Sequence, residues 1–432
     1  MKIFIACFLL GLAGPAAAGY KEALGLVRLD AQQAKALDGF LAMPEEDLSA
    51  NEPLEALLNA NRPAIDAFVK AAGEPTDGYL FGAKPEKLTV STPAIKYGEH
   101  IQLYKLALID ARVNAQSGFV EGAERDLLAA AGFLSQLSEQ KAGLMITSLT
   151  YGLCVRKAFA PLAASLREES ASPAYLGALA RKLARAQAAM DFMRGAMQEE
   201  AELQRNTVRE TMNVLTIKKE NAKLPMHKEL VAKALQDQAF FDMVYTRYNT
   251  AASARAEACA KAFEANDPAL CDGFVEKQLA ELAAKAKAYE ALGFMDSVKA
   301  GTAGLRSGMA DSVVAKLTAG SVPQYGRLVE PYNVSYSILG VLRTALAVKA
   351  YKARNRGRLP ASLDKLPPGF IDELPKDPFN KFQPFIYSWA GKNFTVYGYG
   401  PDRADGGGRA QLDAEAYGND QNKASGDILY AQ

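Results

Sequence analysis

Six carboxylates crowd one C-terminal stretch of this chain: Asp402, Asp405, Asp413, Glu415, Asp420 and Asp427, against the cations Arg403, Arg409 and Lys423. Like charges this close repel one another unless water or a counterion neutralises them. A bound cation would therefore order the loop that carries them. The stretch opens at Gly400-Pro401-Asp402 and closes at Gly426-Asp427-Ile428, just before an apolar anchor, Ile428-Leu429-Tyr430. Between them, Gly406-Gly407-Gly408 frees the backbone to turn carbonyl oxygens inward.

Other constellations are weaker. The two histidines, His100 and His227, belong to no HExxH motif. Ser138-x-x-Lys141 and Ser362-x-x-Lys365 match the spacing of a Ser-Lys nucleophile but lack the companion motifs of that chemistry. The chain has no Gly-x-Ser-x-Gly elbow, phosphate loop or dinucleotide fingerprint. Glu199, Glu200 and Glu202 cluster on a long helix, and two readings stay open: a solvated face, or an acid and base pair of the glycosidase kind.

Those groups sit in a chain of 432 residues, long enough for two or more domains. Its 50 basic and 49 acidic side chains nearly cancel, with no block of like charge, which disfavours a nucleic-acid partner. Lys2, the apolar run Ile3 to Leu12 and the small residues Ala16-Ala17-Ala18 read as a secretory signal over residues 1–18. The expected location is periplasmic or secreted, with no membrane span after cleavage. Cleavage would leave Cys154, Cys259 and Cys271. In an oxidising compartment Cys259 and Cys271 are natural disulfide partners across a turn at Asn266-Asp267-Pro268. Cys154, in an apolar stretch, reads as a small buried hydrophobe.

Residues 19–325 read as one all-helical domain, rich in Ala, Leu, Glu, Lys, Gln and Arg. Helices are expected over Pro53 to Asn61, Pro63 to Ala72, His100 to Gln116, Glu121 to Glu139, Leu144 to Arg167, Ala174 to Lys219, Lys228 to Ala265 and Pro268 to Leu292. Ala111, Ala115, Gly118, Ala123, Leu127 and Ala131 have the small-residue spacing of a tetratricopeptide hairpin, although only one copy is found and a generic helical hairpin is the favoured reading. A seam from Leu176 through Leu179, Leu183, Ala186, Met190, Met193 and Met197 would pack along another helix, within the chain or in a dimer. Composition changes near residue 325. Residues 326–432 read as a small α+β unit: a helix over Asn333 to Arg354, then strands Phe385 to Trp389 and Phe394 to Tyr399 joined at Ala390-Gly391-Lys392-Asn393.

The C-terminal quarter resembles the soluble domain of the major pseudopilin of type II secretion. The resemblance rests on a helix end with Tyr351, then Arg358-Leu359-Pro360, Leu374-Pro375-Lys376-Asp377-Pro378, Tyr397-Gly398-Tyr399-Gly400-Pro401-Asp402 and Asp427-Ile428. It implies calcium, with Asp402 and Asp427 as carboxylate ligands and Asp405 as a third. The loop is longer than is usual in that family, so Asp413 or Asp420 could take either place. The pilin leader and its apolar helix are absent, which argues against assembly into a pseudopilus. The helical part is similar to uncharacterised exported bacterial proteins that join a helical array to such a block, on Leu54-Glu55-Ala56-Leu57, Asn61-Arg62-Pro63-Ala64 and Gln198-Glu199-Glu200.

The fold class expected is thus mainly α: a helical array followed by a small α+β pseudopilin-like domain. The function expected is a non-enzymatic binding or scaffold protein of the bacterial cell envelope, with an envelope or secreted protein as partner and calcium at the C-terminal loop. The alternative is an exported hydrolase with paired carboxylates in a helical cleft.

Overall fold

The computed structural model describes residues 15–48, 51–75, 97–139, 145–167, 171–187, 190–217, 237–292, 294–319, 326–366, 371–409, 411–412 and 425–432. Within them the chain is mainly helical, with small antiparallel sheets at its C-terminal end. The helices are α1 (Pro15–Leu26), α2 (Ala31–Ala42), α3 (Glu45–Leu48), α4 (Glu52–Gly73), α5 (Tyr97–Gln116), α6 (Val120–Ser138), α7 (Met145–Arg167) and α8 (Pro173–Gln187). Then come α9 (Met190–Ile217), α10 (Gln238–Ala265), α11 (Pro268–Glu290), α12 (Phe294–Ala319) and α13 (Gly326–Arg354).

Local signals account for many of the ends. Asp30 caps α2 in a reciprocal arrangement with Gln33, and Asn51 accepts from the Leu54 N–H to start α4. Two helices expected around Arg62-Pro63 are one. α4 runs through Pro63 because Leu54, Leu57, Leu58, Asn61, Ala64, Ile65 and Phe68 are all buried, and packing that stripe outweighs the missing backbone donor. At the other end of the helical region, Asn266 takes the left-handed conformation that closes α10, and Asp267 with Pro268 opens α11. The Cys259–Cys271 disulfide lies across that turn and joins the two helices.

The main core is continuous from α1 to the last strand. Near α1 it is built on four rings, Tyr20, Phe68, Tyr104 and Phe133, with centroids 5.3 Å apart for Tyr20 and Phe133 and 5.5 Å for Tyr104 and Phe133. The buried Tyr20 hydroxyl donates to Gln136 Oε1 at 2.5 Å. α1 begins at Pro15, upstream of the expected processing point, and residues 1–14 lie outside the described residues. A second core joins α9, α10 and α12 through Val208, Phe240, Val244, Tyr248 and Val314. A third joins α2 to α5 through Leu37, Leu48, Leu57 and Ile109.

α13 is buried on nearly every side, as a helix at the centre of a core must be. It touches α7 and α8, and also β4 and β5, so the core passes through the composition change near residue 325. The strands are β1 (Lys376–Asp377), β2 (Gln383–Pro384), β3 (Ile386–Ala390), β4 (Asn393–Gly398) and β5 (Ile428–Ala431). β1 pairs with β2, and β3, β4 and β5 form an antiparallel sheet in that order. The β3–β4 turn has Gly391 at φ 62°, the glycine-first pattern suited to a tight hairpin. In the seam expected from Leu176 onward, Leu176, Leu179, Leu183 and Ala186 are buried within the chain, where α8 meets α6 and α13. The Met190 and Met193 side chains lie outside the described residues.

Gly340 of α13 and Gly398 of β4 clasp the Phe385 ring. A Cβ on Gly340 would lie 2.3 Å from Phe385 Cε2 and 2.9 Å from Gln187 Nε2. Gly340→Ala should gain about 1 kcal/mol in helix propensity and lose about 1–3 kcal/mol to overpacking. We expect a net loss in urea unfolding. Combining it with Phe385→Ala should remove the penalty, and equal penalties in both backgrounds would refute the clasp.

Candidate functional site

The hairpin with the small-residue spacing forms one wall of a cavity of about 340 Å³. Gly118, at φ +75°, ends α5 and reverses the chain into α6. Ala111 and Ala115 of α5 and Ala123 of α6 line this wall with Leu127. Because these side chains are short, the helices leave open volume that larger side chains would fill. Pro161, Ala164 and Ser165 of α7 and Tyr175 of α8 line the opposite part, and Glu45 comes from α3. Phe119 and Val120, at the start of α6, remain exposed beside it.

Several polar groups that line the cavity have defined partners. Arg112 donates to the Phe40, Leu41 and Met43 carbonyls at the end of α2, and its burial lowers its pKa while nearby Glu45 opposes that shift. Glu124 accepts from the Ser172 backbone N–H at 2.9 Å and from its hydroxyl at 3.0 Å. Ser165 donates to the Leu162 carbonyl, so the Tyr175 hydroxyl, 2.9 Å away, is the donor in their mutual bond. Burial pushes the Tyr175 hydroxyl above its ordinary pKa, so it stays protonated. Two groups stand apart: Gln116 Oε1, buried without a partner among the described residues, and the exposed Arg167 guanidinium, which pairs with no carboxylate among them. Arg167 Nε donates to the Ala431 carbonyl at 3.0 Å, so the last strand holds this side chain in place.

Directly behind the wall lies a carboxylate pair that the sequence reading missed. Asp110 of α5 and Asp126 of α6 are both fully buried. Asn114 Nδ2 donates to both, at 3.3 Å and 3.0 Å. Arg62 forks onto Asp110, and Arg125 reaches Asp126 Oδ1 through Nε at 2.9 Å and Nη2 at 2.8 Å. Burial first, then hydrogen bonding to Asp110, holds the Asp126 carboxyl well above the usual carboxylate range, against the pull of Arg125. The signal was available: Asp110 and Asp126 immediately precede Ala111 and Leu127, in phase with buried residues of two apolar helix faces.

The acidic loop is arranged differently from a converging ligand set. Asp402 accepts from the Ala404 and Gly426 N–H groups, at 3.2 Å and 3.0 Å. Asp405 accepts from the Tyr397 hydroxyl at 3.1 Å and the Gly407 N–H at 2.8 Å. Asp427, fully buried, accepts from Gly406 and Gly408 N–H at 3.1 Å and 2.8 Å. Among the described residues, no group of three or more His, Cys, Asp or Glu side chains is placed to hold a metal; Asp413, Glu415 and Asp420 lie outside them. Asp377 is also buried here. Desolvation raises its carboxyl to about 6, with the charge of Asp427 adding to the rise and N–H donors from Phe379 and Tyr399 opposing it.

Glu199 and Glu200 are partly buried on α9 and Glu202 is exposed; they do not line the cavity. His100 is buried in α5, and His227 lies outside the described residues. No helix among the described residues is long and apolar enough to cross a membrane. Comparison with known proteins returned no matching family model, no matching curated protein and no matching solved structure.

A carboxyl whose pKa is raised in the fold adds stability below its unfolded value, about 4, and loses it as pH rises through the folded value. For Asp126 that window ends near pH 7. Asp126→Asn keeps a donor toward Asp110 and does not titrate. Its urea midpoint should therefore fall less than that of the natural chain between pH 5 and pH 8. Parallel profiles would show that Asp126 carries no proton in the fold.

Proposed function

We propose that this chain is an exported, non-enzymatic binding protein of the bacterial cell envelope, built as a helical array with a pseudopilin-like C-terminal unit, and that its ligand occupies the α5–α8 cavity. The observation that carries the reading is the cavity itself, which combines an alanine wall with Gln116 Oε1, buried and unmatched among the described residues. Sites of this kind are concave, mostly apolar and fitted with a few polar groups that fix orientation. The expected partner is an envelope or secreted protein.

The competing hydrolase reading draws on the Asp110 and Asp126 pair. Each of those carboxylates is bound to an arginine, and neither lines the cavity, so the binding reading is favoured. Capture from envelope extracts tests it with the full chain, with Ala115→Leu to fill the cavity, and with Ala283→Leu as a control on the exposed side of α11. A species retained by the natural chain and the control, and reduced at least tenfold by Ala115→Leu, is the expected result. Identical retention by all three would remove the cavity from the account.

A second part of the proposal is calcium at the C-terminal loop, with Asp402, Asp405 and Asp427 supplying carboxylate oxygens. Its support is electrostatic: Asp427 is buried close enough to Asp377 to raise that carboxyl, and a cation would relieve the repulsion. The loop's N–H donors now hold these acids, so binding would require some of those bonds to be exchanged. Calorimetric melting of the full chain should show a higher midpoint with calcium than with chelator, worth about 2.7 kcal/mol at roughly a hundred times the dissociation constant. Asp402→Ala should abolish the difference. Coincident midpoints for the natural chain would dismiss the ion.

A further inference from the structure

Two groups of the α5–α8 cavity are of complementary kinds, a buried acceptor and an exposed, oriented cation. Gln116 Oε1 is a buried acceptor without a donor among the described residues. Leaving such an atom unmatched costs about 1–3 kcal/mol. Flipping the amide merely replaces an unmatched acceptor with an unmatched donor. Arg167 is the second. Its Nε is fixed by the Ala431 carbonyl, which orients the guanidinium, and among the described residues both Nη groups remain for another acceptor.

Two other charged groups of the cavity are committed, and Glu45 is exposed at its edge. Glu124 serves the Ser172 N–H and hydroxyl, while Arg112 serves three carbonyls of the α2 end with Glu45 close by. What the cavity offers a ligand is therefore an oriented cation in Arg167 and a buried acceptor in Gln116 that needs a donor. The same cavity presents the small apolar surface of Ala111, Ala115 and Ala123.

We propose that the cavity takes an N-acylated amino acid, free or as the C-terminal residue of a peptide. The carboxylate pairs with the Arg167 Nη groups, a geometry in which guanidinium and carboxylate form two parallel hydrogen bonds. The neighbouring amide N–H donates to Gln116 Oε1. A compact aliphatic side chain lies on the alanine wall and is removed from water there. The volume, about 340 Å³, suits a ligand of this size and lies at the small end of typical ligand pockets. This assignment rests on the reading of the cavity as a binding site.

The test is titration calorimetry on the full chain with three probes: N-acetyl-leucine, N-acetyl-leucinamide and an acetylated tripeptide ending in leucine. The acid should bind at least tenfold more tightly than the amide. Arg167→Gln should abolish that preference, Arg167→Lys should keep part of it, and Gln116→Leu should weaken acid and amide alike. Circular dichroism checks that each variant is folded. Tighter binding of the tripeptide than of N-acetyl-leucine identifies a peptide terminus as the source, and the reverse order identifies a free acylated amino acid. Equal affinity for acid and amide overturns the carboxylate assignment and leaves the binding cavity in place. Absence of binding by all three probes overturns the ligand class. Unchanged capture by Ala115→Leu overturns the reading beneath it.

Discussion

The carbonyl of Leu166, in the last turn of α7, accepts both the Lys349 ammonium, at 2.6 Å, and the Tyr430 hydroxyl, at 2.8 Å. A helix end leaves such carbonyls without partners, and burying one without a donor would be costly. Here the donors come from α13 and from β5, so three distant parts of the chain meet at a single oxygen. A cation placed there also suits the negative end of the α7 dipole. Because Lys349 and Tyr430 are both buried, none of the three segments keeps its environment if another is removed.

That junction reaches the cavity one residue later. Arg167 follows Leu166, and its Nε is held by the Ala431 carbonyl of the same strand that supplies Tyr430. The C-terminal strand therefore helps set the direction of a cation in a cavity formed by the N-terminal helices. A second link is Asn266 at the disulfide-linked turn. Its Nδ2 donates to the Pro378 carbonyl, its Oδ1 accepts from Asn333, and its own carbonyl accepts from Arg403. The C-terminal segment is thus fastened to the helices at two separate places, each with a buried hydrogen bond, Tyr430 to Leu166 and Asn266 to Pro378.

Charge burial on the other side of the cavity follows a different logic. Asp110 and Asp126 are removed from water but surrounded by Arg62, Arg125 and Asn114, and Asp126 retains a proton to higher pH than an ordinary carboxyl. Such a network adds little net stability compared with an apolar replacement, while loss of one member would leave buried charge unmatched. Its geometric effect is to hold α5 and α6 in register beneath the alanines that line the cavity. Those alanines keep the wall open only while the two helices stay in that register.

Helical periodicity and composition were enough to locate most helices, the β3–β4 hairpin and the Asn266-Asp267-Pro268 turn, because these depend on local propensities and on residues a few positions apart. The same holds for the small-residue hairpin, whose spacing was visible even though the cavity was not. Pro63 shows where local rules fail, since tertiary burial of one stripe carried the helix through a residue that usually ends it. The change in composition near residue 325 is real at the level of sequence, yet core packing crosses it, since α13 presents apolar residues in nearly every direction and neighbours from both sides occupy them. Gln116, Arg167 and the Asp110–Asp126 pair were legible only as ordinary polar residues. Their significance comes from what surrounds them in space: a missing donor, an orienting carbonyl from the last strand, and a second buried acid on the adjacent helix. Burial and partner geometry are properties of the packed chain, determined by contacts between residues far apart in sequence, and no local pattern encodes them.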